Sequence, residues 1–105
     1  MNKEEKSVYI SAPITGVDKT KSDKAFLQGI ELACELGYGR IIDPRENGLP
    51  KDALWSKHMA ADIARLVTCD AIILCRDWVK SRGCRLEHHI AIELGIQIIF
   101  VNVYL

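Results

Sequence analysis

The chain has little of what marks a membrane or secreted protein, and none of the common phosphate-binding signatures. Its charged N-terminus, MNKEEKSVYI, runs straight into a short apolar stretch with no signal-peptide core. No apolar run approaches the ~18 residues that a membrane-spanning helix needs. The 14 basic residues are balanced by 14 acidic ones, which argues against a broad basic surface for nucleic acid and against a polybasic membrane anchor. The four cysteines form no CxxC pair and read as small buried hydrophobes in a reducing cytosol. His58, His88 and His89 have no zinc-ligand spacing relative to them. The spacings GxxxxGK[ST] and GxGxxG are absent too, so neither a P-loop NTPase nor a dinucleotide-binding enzyme is supported. A soluble cytoplasmic domain with no metal and no cofactor is the expectation.

What is present is one domain, residues 1–105, with half its residues apolar. SVYIS (7–11) is a strand bounded by Ala-Pro. Ser22 to Leu36 has helical apolar spacing (Ala25, Phe26, Ile30, Ala33) with Ser22 as the expected N-cap. RIIDP (40–44) is a strand stopped by proline. Leu54 to Cys69 is a helix with the stripe Trp55, Met59, Ile63 and Leu66. DAIILC (70–75) is a third strand, Cys84 to Leu94 a third helix with Leu86, Ile90 and Leu94 inward, and QIIFVN (97–102) a last strand. Short apolar strands alternating with helices predict an α/β fold: a parallel four-stranded Rossmann-like (flavodoxin-like) sheet with helices on both faces. Right-handed crossovers favour the order 2-1-3-4. Ligands then bind at the carboxyl ends of the strands, by the switch point between the first and third. APITG and RDWVKSRG emerge there.

The residues at that crevice read two ways. Ser81 and Gly83, before a helix, suit an anion or simply cap and ease the turn. Glu87, one turn on, is either a solvated first-turn acid or a carboxylate kept ionised by the helix dipole. Asp62, between Ala61 and Ile63, is a poor mid-helix residue. Trp78 is placed to stack on a base or to pack its loop. Tyr9 lies in the first strand close to the crevice. Asp70 is a turn or cap residue at the opposite end of the sheet, and His88 and His89 are surface or interface residues.

Together these blocks resemble the nucleoside 2-deoxyribosyltransferase superfamily, in particular its 2′-deoxynucleoside 5′-monophosphate N-glycosidase branch. YISAPITG is similar to its strand-one motif, SRGCRLE to its Ser-x-Gly-x-x-x-Glu pattern, and DIARLVTCDAIIL to its helix-to-strand segment with a catalytic aspartate. The similarity is greatest to a small bacterial and phage branch with a YISGPMTG start.

The resemblance implies cleavage or exchange of the N-glycosidic bond of a nucleoside or nucleoside 5′-monophosphate. Glu87 would be the nucleophile, Asp62 the proton donor to the base, and Tyr9 the residue orienting Glu87. Ser81 and Gly83 would hold a 5′-phosphate, with Ala12, Ile14, Thr15 and Gly16 along the sugar–phosphate loop. Retaining chemistry with two carboxylates of divergent pKa is then expected: Glu87 charged by the helix end, Asp62 raised by apolar neighbours.

Some positions depart from the pattern. Ala12 stands where glycine is frequent and Thr15 where a basic residue occurs, leaving Arg82 or Arg85 to compensate. Of the C-terminal segment that completes a neighbour's site in transferases, Asn102 is the candidate remnant. A small site favours hydrolysis over transfer. A homodimer or higher homo-oligomer is expected, with Trp55 and Met59 at the interface. The alternative is a non-catalytic nucleotide-binding or sensing module, and beyond it a structural protein with a vestigial crevice.

Overall fold

The computed structural model describes residues 3–101. Strand β1 (Ser7–Ser11) is followed by helix α1 (Lys19–Glu35), β2 (Arg40–Ile42), α2 (Trp55–Leu66), β3 (Ala71–Leu74), α3 (Arg82–Leu94) and β4 (Gln97–Phe100). The four strands form one sheet in the order β2-β1-β3-β4. Every pairing is parallel: Tyr9 sits between Ile42 and Ile72, and Ser11 beside Leu74. This is the α/β Rossmann-like fold expected from the sequence.

Strand alternation sorts the core into two halves. Val8 and Ile10 of β1 with Ala71 and Ile73 of β3 face Ala25, Phe26 and Ala33 of α1. Tyr9, Ile72 and Leu74 point the other way, toward Leu66 of α2 and Ala91 of α3. Helix α1 lies close on its face because Gly29 has no side chain. A Cβ there would stand 2.6 Å from Cys75 Sγ and 3.0 Å from Ile10 Cγ2.

The element ends differ from expectation for local reasons. Helix α1 starts at Lys19, one turn early, because Asp18 rather than Ser22 caps it by accepting from Lys21 N–H. Ser22 is buried in the first turn and donates to the Pro13 carbonyl at 2.7 Å. β2 stops at Ile42, since Asp43 and Pro44 open a short 3₁₀ turn. α2 ends at Leu66, β3 is one residue shorter at each end, and β4 starts at Gln97 as expected and ends at Phe100. Asn102 lies outside the described residues.

The inward face of α3 is Cys84, Glu87 and Ala91. Of the expected stripe Leu86, Ile90 and Leu94, Ile90 packs partly buried against the core, while Leu86 and Leu94 are exposed. The helix is turned so that a carboxylate, not leucine, meets the polar end of β1. At the amino ends of the strands, Asp70 accepts from Ser7 N–H at 2.9 Å and ties β1 to β3, the turn role expected of it. No helix among the described residues is long and apolar enough to cross a membrane.

Candidate active site

The crevice opens at the carboxyl ends of β1 and β3, where the fold predicts it. It is a cavity of about 860 Å³, within the usual range for small-molecule sites and roomier than the small site expected. Ala12, Ile14 and Thr15 line one side; Trp55, Met59 and Asp62 of α2 and Ser81, Gly83, Cys84 and Glu87 of α3 line the others. Gly16 is not a lining residue. It sits at φ +73° in a turn closed by Val17 N–H to the Ile14 carbonyl, which presents Ile14 and Thr15 to the crevice.

Glu87 is 5% exposed and is held from below by β1. Tyr9 Oη donates to Oε2 at 2.5 Å, and Ser11 Oγ donates to Oε1 at 2.8 Å. Both donors come from one face of the strand, two residues apart. Burial pushes the Glu87 carboxyl up to about 7, against the two hydroxyl donors, which lower it; Asp62 nearby raises it further. The expectation that the helix dipole keeps Glu87 firmly ionised is therefore corrected, because desolvation in the cavity floor outweighs a helix-end effect worth ~1 kcal/mol. Burial and the charge of Glu87 push the Tyr9 hydroxyl far upward, so it stays protonated as a donor to Glu87.

Asp62 is 6% exposed and belongs to the buried face of α2. Burial raises its pKa as expected, while Asn47, His58 and Arg65 oppose. The two carboxyls are thus raised together rather than driven apart, and a single cavity brings them together. Asn47 Nδ2 donates to Asp62 Oδ1 at 3.0 Å and lies 3.0 Å from His58 Nδ1.

Ser81 is the N-cap of α3, accepting from Cys84 N–H at 3.2 Å, and also lines the crevice. Gly83 lets the helices approach: a Cβ there would lie 3.2 Å from Met59 Sδ. Arg82 stacks its guanidinium 3.7 Å from the Trp55 ring centroid at the rim, whereas Arg85 donates to the Val79 carbonyl and does not line the cavity.

Two further placements bear on the expectations. Trp78 does not line the crevice; its short 3₁₀ turn packs on α3, and its ring lies against His88 (4.5 Å between centroids) and Phe100. That contact also half-buries His88, while His89 remains exposed. Met59 is buried within its own chain and lines the crevice.

Against this geometry, the family model for a domain of unknown function, DUF4406, matches residues 6–100. The chain belongs to the DUF4406 family. No curated protein and no solved structure matches it. The matched span of this DUF4406 domain holds every crevice residue named above.

Sequence reasoning missed Ser11, Asn47 and His58. Strand alternation signals Ser11, since whatever Tyr9 faces Ser11 also faces. His58 precedes Asp62 by one helical turn and shares its face. Asn47 lies in a loop with no periodicity and carries no such signal.

Proposed function

We propose that this DUF4406 protein cleaves or exchanges the N-glycosidic bond of a nucleoside or nucleoside 5′-monophosphate. One observation carries the reading: two buried carboxylates, Glu87 and Asp62, line the same cavity, one steadied by two hydroxyls and the other able to hold a proton. In the ionised state Glu87 attacks C1′ while Asp62 delivers its proton to the departing base nitrogen. The glycosyl–Glu87 ester that results is then opened by water, or by a second base, deprotonated by Asp62. Configuration at C1′ is retained. Burial raises both carboxyls, and Asp62 raises Glu87 further, so the pair favours holding one proton between them. A 5′-phosphate would meet Ser81, Lys80 and Arg82 at the start of α3. The cavity has room for an acceptor beside the substrate, which keeps transfer open alongside hydrolysis.

The same reading places the protein in the cytoplasm as a homodimer or larger assembly. Apolar side chains left exposed at Leu54, Ile92, Leu94 and Phe100 supply area for self-association, and sedimentation velocity tests it. Activity is tested by free-base release from a panel of nucleosides and their 5′-monophosphates. The wild type should release base, and Glu87→Ala should lose about a thousandfold or more in kcat. Saturable ligand binding with no turnover would replace the enzyme by a nucleotide-sensing module; no binding at all would make the crevice vestigial.

A further inference from the structure

The loop between β2 and α2 reaches back over the crevice and ends in a hydrogen-bond chain whose direction the geometry determines. Asn47 Oδ1 accepts the Leu49 backbone N–H at 3.0 Å. A backbone donor cannot reverse, so the amide cannot flip, and both hydrogens of Nδ2 point away from Leu49. One goes to Asp62 Oδ1 and the other to His58 Nδ1, each at 3.0 Å. Nδ1 of His58 is then an acceptor, and the ring proton lies on Nε2, which donates to the Pro50 carbonyl at 3.0 Å. The geometry thus fits the Nε2–H tautomer of His58, and a proton on Nδ1 would set a donor against a donor. The chain runs from Pro50 through His58 and Asn47 to Asp62 Oδ1 with each donor facing an acceptor.

We propose that Asn47, locked by Leu49 and His58, is a positioning residue that assigns the Asp62 proton to Oδ2. Because Asn47 only donates at that position, Oδ1 must remain an acceptor, and a protonated Asp62 carries its hydrogen on the other oxygen. Oδ2 accepts from no protein group among the described residues, and Asp62 lines the crevice. The loop thus selects which oxygen is available to hand a proton to a ligand. This inference rests on the reading of Asp62 as the proton donor.

The groups facing Asp62 are Asn47 of the loop, His58 and Arg65 of its own helix, Tyr9 of β1 and Glu87 of α3. The test follows the Asp62 carboxyl carbon by ¹³C NMR through a pH titration, with no substrate present. Asn47→Ala removes a donor that favours the ionised form, so the Asp62 midpoint should rise by roughly one pH unit. Asn47→Asp puts a like charge there and should raise it further. An unmoved midpoint in variants that melt like the wild type overturns the proposal. A second measurement needs no variant: ¹⁵N spectra of the wild-type imidazoles should show His58 protonated at Nε2 alone at pH 8, and the Nδ1–H tautomer would also overturn it.

With an active protein, the alkaline limb of kcat should move with the Asp62 midpoint, a shift that mere loop support would not produce. Base release with an unmoved midpoint sinks the positioning role alone. A moved midpoint with no base release sinks the glycosidic reading alone.

Discussion

Glu87 is the residue on which most depends, and its burial has a measurable sign. Its carboxyl rises from 4.5 to about 7 on folding, so the folded chain binds a proton that the unfolded chain has released. That contribution to stability is complete below pH 4.5 and is lost as pH rises through about 7, roughly 3 kcal/mol in all. Glu87→Gln should therefore be more stable than the wild type at pH 8 by about 2–3 kcal/mol, equal to it at pH 4.5, and inactive. Urea denaturation at the two pH values checks this; an equal difference at both would count against a strained charge. The rate should rise with pH as Glu87 ionises near 7. Tyr9→Phe removes a donor to the charged form, moves that limb to higher pH, and costs about 1–3 kcal/mol at pH 8. Asp62 was legible because aspartate is costly in mid-helix, whereas Tyr9 and Glu87 break no local rule and were singled out by their place near the strand ends and by the resemblance of their blocks. Ser11 was not, since a serine ending a strand breaks no rule until its neighbour across the space is known.

The elements were legible in kind and order because hydrophobic period and glycine or proline punctuation agree along the chain. Their rotation was less so. On α3 the leucines offered the obvious inward stripe, yet the helix turned to bury Cys84, Glu87 and Ala91. Two hydrogen bonds to Glu87 and a close α2 contact at Gly83 outweigh the burial of leucine. Short periodicity cannot weigh a partner on another element. The α1–sheet contact is the least forgiving of substitution. Gly29→Ala adds helix propensity worth up to about 1 kcal/mol, but its Cβ falls 2.6 Å from Cys75 Sγ, and a net loss of about 1–3 kcal/mol follows from overpacking. Adding Cys75→Ala should restore part of it, because the nearest obstruction is that sulfur. Full additivity of the two substitutions in thermal melts would refute the contact.

The whole molecule divides its labour along the strands. At their carboxyl ends the sheet holds a crevice and two carboxyls raised by burial. At their amino ends Asp70 joins β1 to β3 through Ser7, and none of the crevice residues lies there. Asp70→Ala should cost about 1 kcal/mol and leave kcat and its pH profile unchanged; a changed profile would mean the two ends communicate through β1.

The Tyr9–Glu87 hydrogen bond spans 78 positions of sequence, from the first strand to the last helix. Few contacts in a chain this short are less local, and loop-closure entropy delays such contacts during folding. Until α3 docks, Tyr9 and Ser11 give β1 one polar face inside a nascent apolar sheet, with no partner for either hydroxyl. Docking of α3 on β1 and completion of the site are thus the same event. Without α3 docked no carboxyl is held over the cavity, and burial of Tyr9 should report the arrival of α3 more directly than helix content does.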